Sequence, residues 1–236
     1  MTLLLFDIDQ TLVSTGGAGI RALDRAFDKL YSIENAMAGI LPHGKTDPGI
    51  IREIFNNLPD MFVGDGIPTS FTPILETYLE FLQDEIDRTT DYTVLPGISE
   101  LLTALVKQSD ILLGLATGNV EEGARIKLER GNLNQYFSFG GFGSDSENRA
   151  ELVRHGAEIG SAKSASRGGR PLQPHEIFVI GDTPLDIAAG RQCGFMTIGV
   201  ATGKFSVAEL TGAGATIAIS NLEQGRDQFL RTTLIV

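Results

Sequence analysis

Short apolar runs that end in polar residues constrain the fold of this 236-residue chain more than any other feature. Four runs have the length and the polar or glycine boundaries of buried strands, at residues 3–6, 111–116, 177–180 and 196–200. Helical patterns separate them, at residues 98–106, 120–130 and 148–159. Strands that alternate with helices predict an α/β fold with a doubly wound parallel sheet.

The segment between the first two runs breaks this alternation. It contains three helix-like stretches, at 18–30, 48–57 and 74–87, and no convincing strand. We therefore predict an all-helical domain at 15–92 inserted into a core domain formed by 1–14 and 93–236. Gly- or Pro-containing crossings at 14–19 and 93–97 are predicted to act as hinges, and residues 161–170 to form an exposed loop.

Charge and cysteine content limit the partners and the compartment. A net charge of −11 and a pI near 4.7 disfavour nucleic-acid binding, and an anionic substrate would need local cations or a metal. Cys193 is the single cysteine, so no intrachain disulfide can form. No apolar stretch approaches transmembrane length. We expect a cytoplasmic protein without a membrane partner, either a monomer or a homodimer.

Polar residues follow three of the apolar runs directly. They are Asp7 and Asp9 after the first run, Thr117, Gly118 and Asn119 after the second, and Asp182 after the third. Ligands of open α/β sheets bind beyond the carboxyl ends of the strands, so these residues should share one crevice.

Carboxylates dominate the predicted crevice. Asp7 and Asp9 point the same way on an extended strand, and their repulsion would raise a pKa unless a cation lies nearby. With Asp182 and Asp186, they form an oxygen-rich set that suits Mg²⁺ better than zinc. The alternative is that these aspartates are only helix N-caps and turn residues.

The ordered motifs resemble those of the haloacid dehalogenase-like phosphohydrolases. They are Asp7-Ile8-Asp9-Gln10-Thr11, then Thr117 after an apolar strand, then Gly181-Asp182-Thr183-Pro184-Leu185-Asp186. The helical insertion after the first motif is similar to the cap domain of the phosphoglycolate phosphatase-like branch. The segments Val94-Leu95-Pro96-Gly97 and Val200-Ala201-Thr202-Gly203 also resemble that branch.

The resemblance implies a role for each motif residue. Asp7 would be the nucleophile that forms an aspartyl-phosphate, and Asp9 the general acid and base. Mg²⁺ would be held by the Asp7 carboxylate, the Asp9 backbone carbonyl and Asp182, with Asp186 just outside its ligands. Thr117 would take part in catalysis. The substrate would be bound by Thr11, Gly118 and Asn119.

The family also implies a cation that touches both the phosphoryl group and the carboxylates. Arg149 is the preferred candidate because it stands at the start of the helix that precedes the Asp182 strand. Lys163 is the second candidate. In the helical domain, Lys45 lies in a stretch, 41–47, that resembles a substrate-facing loop, and it could close over the substrate.

These features predict a magnesium-dependent phosphatase for small phosphorylated metabolites, such as phosphoglycolate or sugar phosphates. One alternative is a phosphosugar mutase similar to β-phosphoglucomutase, and another is a non-catalytic module that binds phosphorylated ligands. A dehalogenase is disfavoured because carbon–halogen displacement does not need Asp9 or the Asp182–Asp186 pair.

Overall fold

A six-stranded parallel sheet forms the centre of the protein in the computed structural model, which describes residues 1–58, 68 and 70–234. The strands are β1 (Thr2–Phe6), β2 (Val13–Thr15), β3 (Tyr92–Val94), β4 (Ile111–Ala116), β5 (Gly140–Gly141), β6 (Ile177–Gly181), β7 (Met196–Val200) and β8 (Ile217–Ile219). Their order in the main sheet is β5-β4-β1-β6-β7-β8, with every neighbouring pair parallel. The predicted α/β parallel sheet is confirmed.

Helices connect the strands and cover both faces of the sheet. They are α1 (Ala18–Tyr31), α2 (Asp47–Asn57), α3 (Thr72–Arg88), α4 (Ile98–Leu105), α5 (Glu121–Glu129), α6 (Arg149–Ser166), α7 (Pro184–Gln192), α8 (Val207–Gly212) and α9 (Arg226–Thr233). No helix in the described ranges is long and apolar enough to cross a lipid bilayer.

Strand β1 is buried on both faces, as a central parallel strand must be. Leu4 lies opposite Leu113 of β4 and Phe178 of β6, and it belongs to the apolar cluster on one face. Leu3 and Leu5 belong to the cluster on the other face. Because β1 lies between β4 and β6, the residues that follow these three strands end up side by side.

The segment between β2 and β3 contains α1, α2 and α3, which surround their own apolar core. Tyr78 and Phe27 are among its fully buried side chains. Strands β2 and β3 pair antiparallel where the chain leaves and re-enters the core, so the crossings contain a short two-stranded ribbon that the sequence did not indicate. The alternation of apolar and polar residues over three positions is too short to distinguish such strands from loops.

The prediction of an exposed loop at 161–170 is wrong for residues 161–166, which are helical. Helix α6 continues through Ser166 and ends before Gly168, whose φ of 81° stops the helix. Serines and cations suggested a loop, but Ser164 is buried, and its hydroxyl donates to the carbonyl of Arg170. The last turns of α6 are therefore stabilised by packing that composition does not reveal.

Candidate active site

Three carboxylates meet at the carboxyl edge of the sheet. Asp7 follows β1, Asp182 follows β6, and Asp186 lies in the first turn of α7. One oxygen of each lies within 4.8 Å of the others, and all three residues are buried. The distance confirms that aspartates from distant parts of the chain share one site.

Arg149 is the cation closest to this carboxylate cluster, and its side chain is 9% exposed. Its Nη2 lies 3.1 Å from Asp7 Oδ1, and its Nε donates to Asp186 Oδ1 at 2.9 Å. Nη1 donates to the carbonyl of Gly44, in the helical segment between β2 and β3. The guanidinium group therefore connects two carboxylates at the sheet edge with a loop of that helical segment.

Two carboxyl groups of this cluster, those of Asp7 and Asp182, have strongly raised pKa values. Burial, with repulsion from Asp186, Asp7 and Asp9, raises the pKa of Asp182 to about 9, although Arg149 opposes the shift. Burial also raises the pKa of Asp7 to about 7, against the attraction of Arg149. Burial and mutual repulsion in this cluster therefore outweigh the attraction of Arg149 for the carboxylate forms.

Asp182 and Asp186 differ in their hydrogen-bond partners. Asp186 accepts from Arg149 and from both the amide and the hydroxyl of Thr183, which close a capping box at the start of α7. Within the described residues, no donor lies in hydrogen-bonding reach of the Asp182 carboxylate. Gly203 passes directly beside Asp182, and a Cβ there would collide with Oδ2. Asp182 therefore points into the site free of donors.

Thr117, Gly118 and Asn119 form the turn between β4 and α5. The Asn119 side-chain amide donates to Thr117 Oγ1 at 2.8 Å and to Asp9 Oδ2 at 2.9 Å. The turn is thereby tied to the segment that follows β1, and the residues predicted to share a crevice do so.

Lys127 of α5 occupies the space beside Asp9, with only 6% of its side chain exposed. Its Nζ donates to Asp9 Oδ2 at 2.7 Å, to Asp9 Oδ1 at 2.9 Å and to Asn119 Oδ1 at 2.6 Å. The enclosed setting by itself raises the pKa of Asp9, but the charge and hydrogen bonds of Lys127, with the bond from Asn119, bring that pKa below its usual value. Asp9 is therefore a carboxylate at neutral pH.

The helical segment between β2 and β3 contacts the turn between β4 and α5. The amide of Asp47 donates to the carbonyl of Gly118 at 2.8 Å, and the Asp47 carboxylate accepts from the amide of Val120 at 2.9 Å. Burial raises the pKa of the Asp47 carboxyl to about 6, although Lys127 and the Val120 amide lower it. Outside the site, Arg52 pairs with Glu147 across the same boundary at 2.6 Å.

Replacing Gly118 with alanine should loosen this contact. A Cβ at Gly118 would collide with the carbonyl oxygen of Lys45, which is backbone and cannot rotate away. We expect Gly118→Ala to lower the free energy of unfolding by about 1–3 kcal/mol in urea denaturation. Gly212→Ala is the matched control because its Cβ would meet no atom within 4 Å. Equal midpoints for Gly118→Ala and the wild type would contradict the close packing of the turn.

Three of the predicted site residues, Lys45, Thr11 and Lys163, do not form hydrogen bonds or ion pairs with the carboxylates of the site. Lys45 faces the cavity but pairs with Glu53 of α2. Thr11 does not line the cavity, and its buried hydroxyl has no hydrogen-bond partner among the described residues. Lys163 lies over the Phe139 ring, 5.3 Å from its centroid, so Arg149 and not Lys163 reaches the carboxylates.

Sequence reasoning missed Lys127 and Asp47. Lys127 was detectable in principle: it lies three residues after Ala124 and seven after Val120, on the apolar stripe of α5, where a lysine must find a buried partner. Asp47 carries no comparable signal, since an acidic residue in the first turn of a helix is common on exposed surfaces.

A cavity of about 150 Å³ lies between the sheet edge and the helical segment between β2 and β3, lined by residues of both. Its polar lining includes Asp7, Asp9, Asp182, Arg149 and Lys127. Its apolar lining comes from α1 and α2 with Met37 and Tyr78. Such a fold and site define an α/β protein with a small, charged cavity at the carboxyl edge of its parallel sheet.

Comparison with known proteins identifies the family. Residues 4–200 match the family described as haloacid dehalogenase-like hydrolase. The chain therefore belongs to the haloacid dehalogenase-like hydrolases, and the resemblance carried by its motifs is confirmed.

Individual relatives are distant in sequence. A Clostridium perfringens protein named "Putative pyrophosphatase PpaX" is 22% identical over 198 residues, which cover 84% of this chain and 82% of the relative. A hydrolase from Pseudomonas syringae superposes with a TM-score of 0.67 at 22% identity, covering 98% of this chain and 99% of that one. CbbY from Rhodobacter sphaeroides, solved in complex with phosphate, gives a TM-score of 0.70 at 17% identity, covering 95% and 96%. The two solved structures show a shared fold.

Proposed function

We propose that this protein is a magnesium-dependent phosphatase that hydrolyses small phosphorylated metabolites through an aspartyl-phosphate on Asp7. The observation that carries the proposal is the meeting of three buried carboxylates within 4.8 Å at the sheet edge, with Arg149 against two of them. A nucleophile, a cation-binding set and a phosphate-binding cation thus lie together.

The residues of the site fit a bound Mg²⁺. The donor atoms are all oxygens, which hard divalent cations prefer. Asp182, which has no hydrogen-bond donor among the described residues, and Asp7 would hold the ion with the backbone carbonyl of Asp9. Asp186 would not be a ligand of the ion, because both Asp186 oxygens already accept hydrogen bonds, from Arg149 and from Thr183. Bound there, the ion would supply positive charge that offsets the nucleophile and the phosphoryl group together.

Asp7 and Asp9 would divide the chemistry between them. The Asp9 carboxylate first takes a proton from solvent. An Asp7 oxygen then bonds to phosphorus as the bond from phosphorus to the leaving oxygen breaks, and the leaving oxygen takes that proton from Asp9. In the second step a water oxygen bonds to phosphorus and the bond to Asp7 breaks, while the Asp9 carboxylate takes the proton of the water. The products are the dephosphorylated alcohol and inorganic phosphate.

The turn after β4 and Arg149 would hold the phosphoryl oxygens. The guanidinium fork lies beside Asp7, where it can donate to the transferred group. Among the described residues, none accepts a hydrogen bond from the Gly118 amide, so that amide is available to a phosphoryl oxygen near the start of α5. Thr117 also lines the cavity and would contact the phosphoryl group together with Arg149 and the Gly118 amide.

A small metabolite suits the site better than a macromolecule. The cavity of about 150 Å³ is small and lies between the sheet edge and the helical segment, and the net charge of −11 opposes a polyanion at long range. Phosphoglycolate-like acids and sugar phosphates remain the proposed substrates. Pyrophosphate joins them because the Clostridium perfringens relative is named for it.

A phosphate-release screen tests the proposal. The purified protein would be incubated with Mg²⁺ and phosphorylated acids, sugars, nucleotides and pyrophosphate, with the chelator-treated protein as the blank. We expect phosphate release from at least one small substrate without any added bisphosphate. Turnover that requires a trace of sugar bisphosphate and releases no phosphate would favour the mutase instead, and inactivity on the whole panel would favour a binding module.

A further inference from the structure

Lys127 is a buried cation whose hydrogen-bonding capacity is used entirely within the protein. Its ammonium group has three acceptors, the two oxygens of Asp9 and Oδ1 of Asn119, at 2.6–2.9 Å. An ammonium group has three N–H donors, so Lys127 has none left for a substrate. Its role in the site must therefore act through the residues that it contacts.

Asn119 closes the contacts of Lys127 into a ring. Its Oδ1 accepts from Lys127, while its Nδ2 donates to Asp9 Oδ2 and to Thr117 Oγ1. Asp9 is therefore held at both oxygens, yet 41% of its side chain remains exposed to the cavity. A fixed carboxylate with an open side is suited to contact a water molecule or a substrate.

We propose that Lys127 is a positioning residue that fixes the Asp9 carboxylate as the base for hydrolysis of the aspartyl-phosphate. The inference rests on the proposed function and assigns a role to a residue outside the family motifs present in this chain. Holding the carboxylate in one rotamer reduces the freedom lost when it contacts the attacking water. Without Lys127, Asp9 keeps only the bond from Asn119 and can rotate away from the water.

A steady-state experiment with p-nitrophenyl phosphate isolates this step. The p-nitrophenolate group leaves without a proton, so kcat/KM reports attack by Asp7 and does not require Asp9 as an acid. We expect Lys127→Met to lower kcat by about 30-fold or more while kcat/KM changes by less than about 3-fold, since only intermediate hydrolysis is slowed. KM should fall with kcat, and rapid mixing should show a burst of about one p-nitrophenolate per enzyme.

A merely structural role for Lys127 predicts a different pattern. Loss of folded protein would reduce kcat and kcat/KM equally, leave KM unchanged and reduce any burst. That result, or an unchanged kcat, would overturn the proposal. Lys107→Met is the matched control because Lys107 is exposed, and it should behave as the wild type. Lys127→Arg, which keeps a cation, should retain more of kcat than Lys127→Met.

A double-mutant cycle tests whether Lys127 acts through Asp9. In an Asp9→Asn background, Lys127→Met should cost little further activity, whereas additive losses would contradict the inference. If Lys127→Met fails to fold, Lys127→Gln carries the same kinetic expectation and the same overturning results. A wild type that releases neither p-nitrophenolate nor phosphate from any substrate of the screen with Mg²⁺ would remove the proposed function itself. If the wild type is active and Lys127→Met does not lower kcat more than kcat/KM, only the role of Lys127 is refuted and the proposed function stands.

Discussion

Asp7→Asn is expected to abolish phosphate release, lowering kcat by about 10⁴-fold or more. The amide keeps the shape of the side chain but cannot form a bond to phosphorus. Folding should survive, because burial raises the pKa of the Asp7 carboxyl to about 7 and a neutral amide avoids burying that charge. We expect the thermal midpoint of the metal-free variant to equal or exceed that of the metal-free wild type.

The measurement is phosphate release on whichever substrate the screen selects, together with thermal unfolding of both proteins. Asp28→Asn is the matched control, since Asp28 is an exposed residue of α1 and the same change of charge should leave activity intact. Retention of most activity by Asp7→Asn would refute the covalent mechanism, and loss of activity by Asp28→Asn would reveal a general effect of charge.

Removal of divalent cations is expected to abolish phosphate release, and added Mg²⁺ should restore that activity. Stability gives an independent readout. The pKa of Asp182 is raised to about 9 and that of Asp7 to about 7, so the folded metal-free protein holds protons that an unfolded chain releases near pH 4. The contribution of these groups is therefore fully present below about pH 4 and is lost as pH rises toward about 9.

Mg²⁺ should reverse that loss, because an ion bound between the carboxylates replaces the protons. We expect the Mg²⁺-induced rise in thermal midpoint to grow between pH 5 and pH 9 and to be abolished by Asp182→Asn. Full activity after exhaustive chelation would disprove the metal assignment, as would a rise in midpoint that is the same in Asp182→Asn. Asp110→Asn, an exposed change of the same type, should keep the wild-type response.

The strands of the core could be predicted from the sequence because their burial leaves a direct mark on it. A strand covered by helices on both faces is a continuous apolar run, as Ile111–Ala116 is, and the chain must present its polar chemistry where the run ends. For the same reason Asp7 and Asp182 were recognisable as site residues before their distance was known. Arg149 was preferred over Lys163 because the resemblance implies a cation at the start of the helix that precedes the Asp182 strand.

Other features could not be predicted because they depend on partners distant in sequence. Ser164 is helical and buried, and its hydroxyl donates to the carbonyl of Arg170, although serine composition favours a loop. The pairing of β2 with β3 joins segments about 80 residues apart, and neither segment is long enough to show a strand period. The position of Lys127 on the apolar face of α5 indicates a buried lysine, but only the fold shows that its partner is Asp9.

The sequence by itself determined the parallel core, the family and the acidic groups at the ends of its strands, because burial and chemistry restrict which residue types can occupy those positions. Tertiary structure alone decided how these groups are held: Arg149 against Asp7 and Asp186, Lys127 against Asp9, and Asp47 against the turn at Gly118. Charge pairing acts over a few ångströms in space, and local sequence carries no record of which distant charges the fold will bring that close.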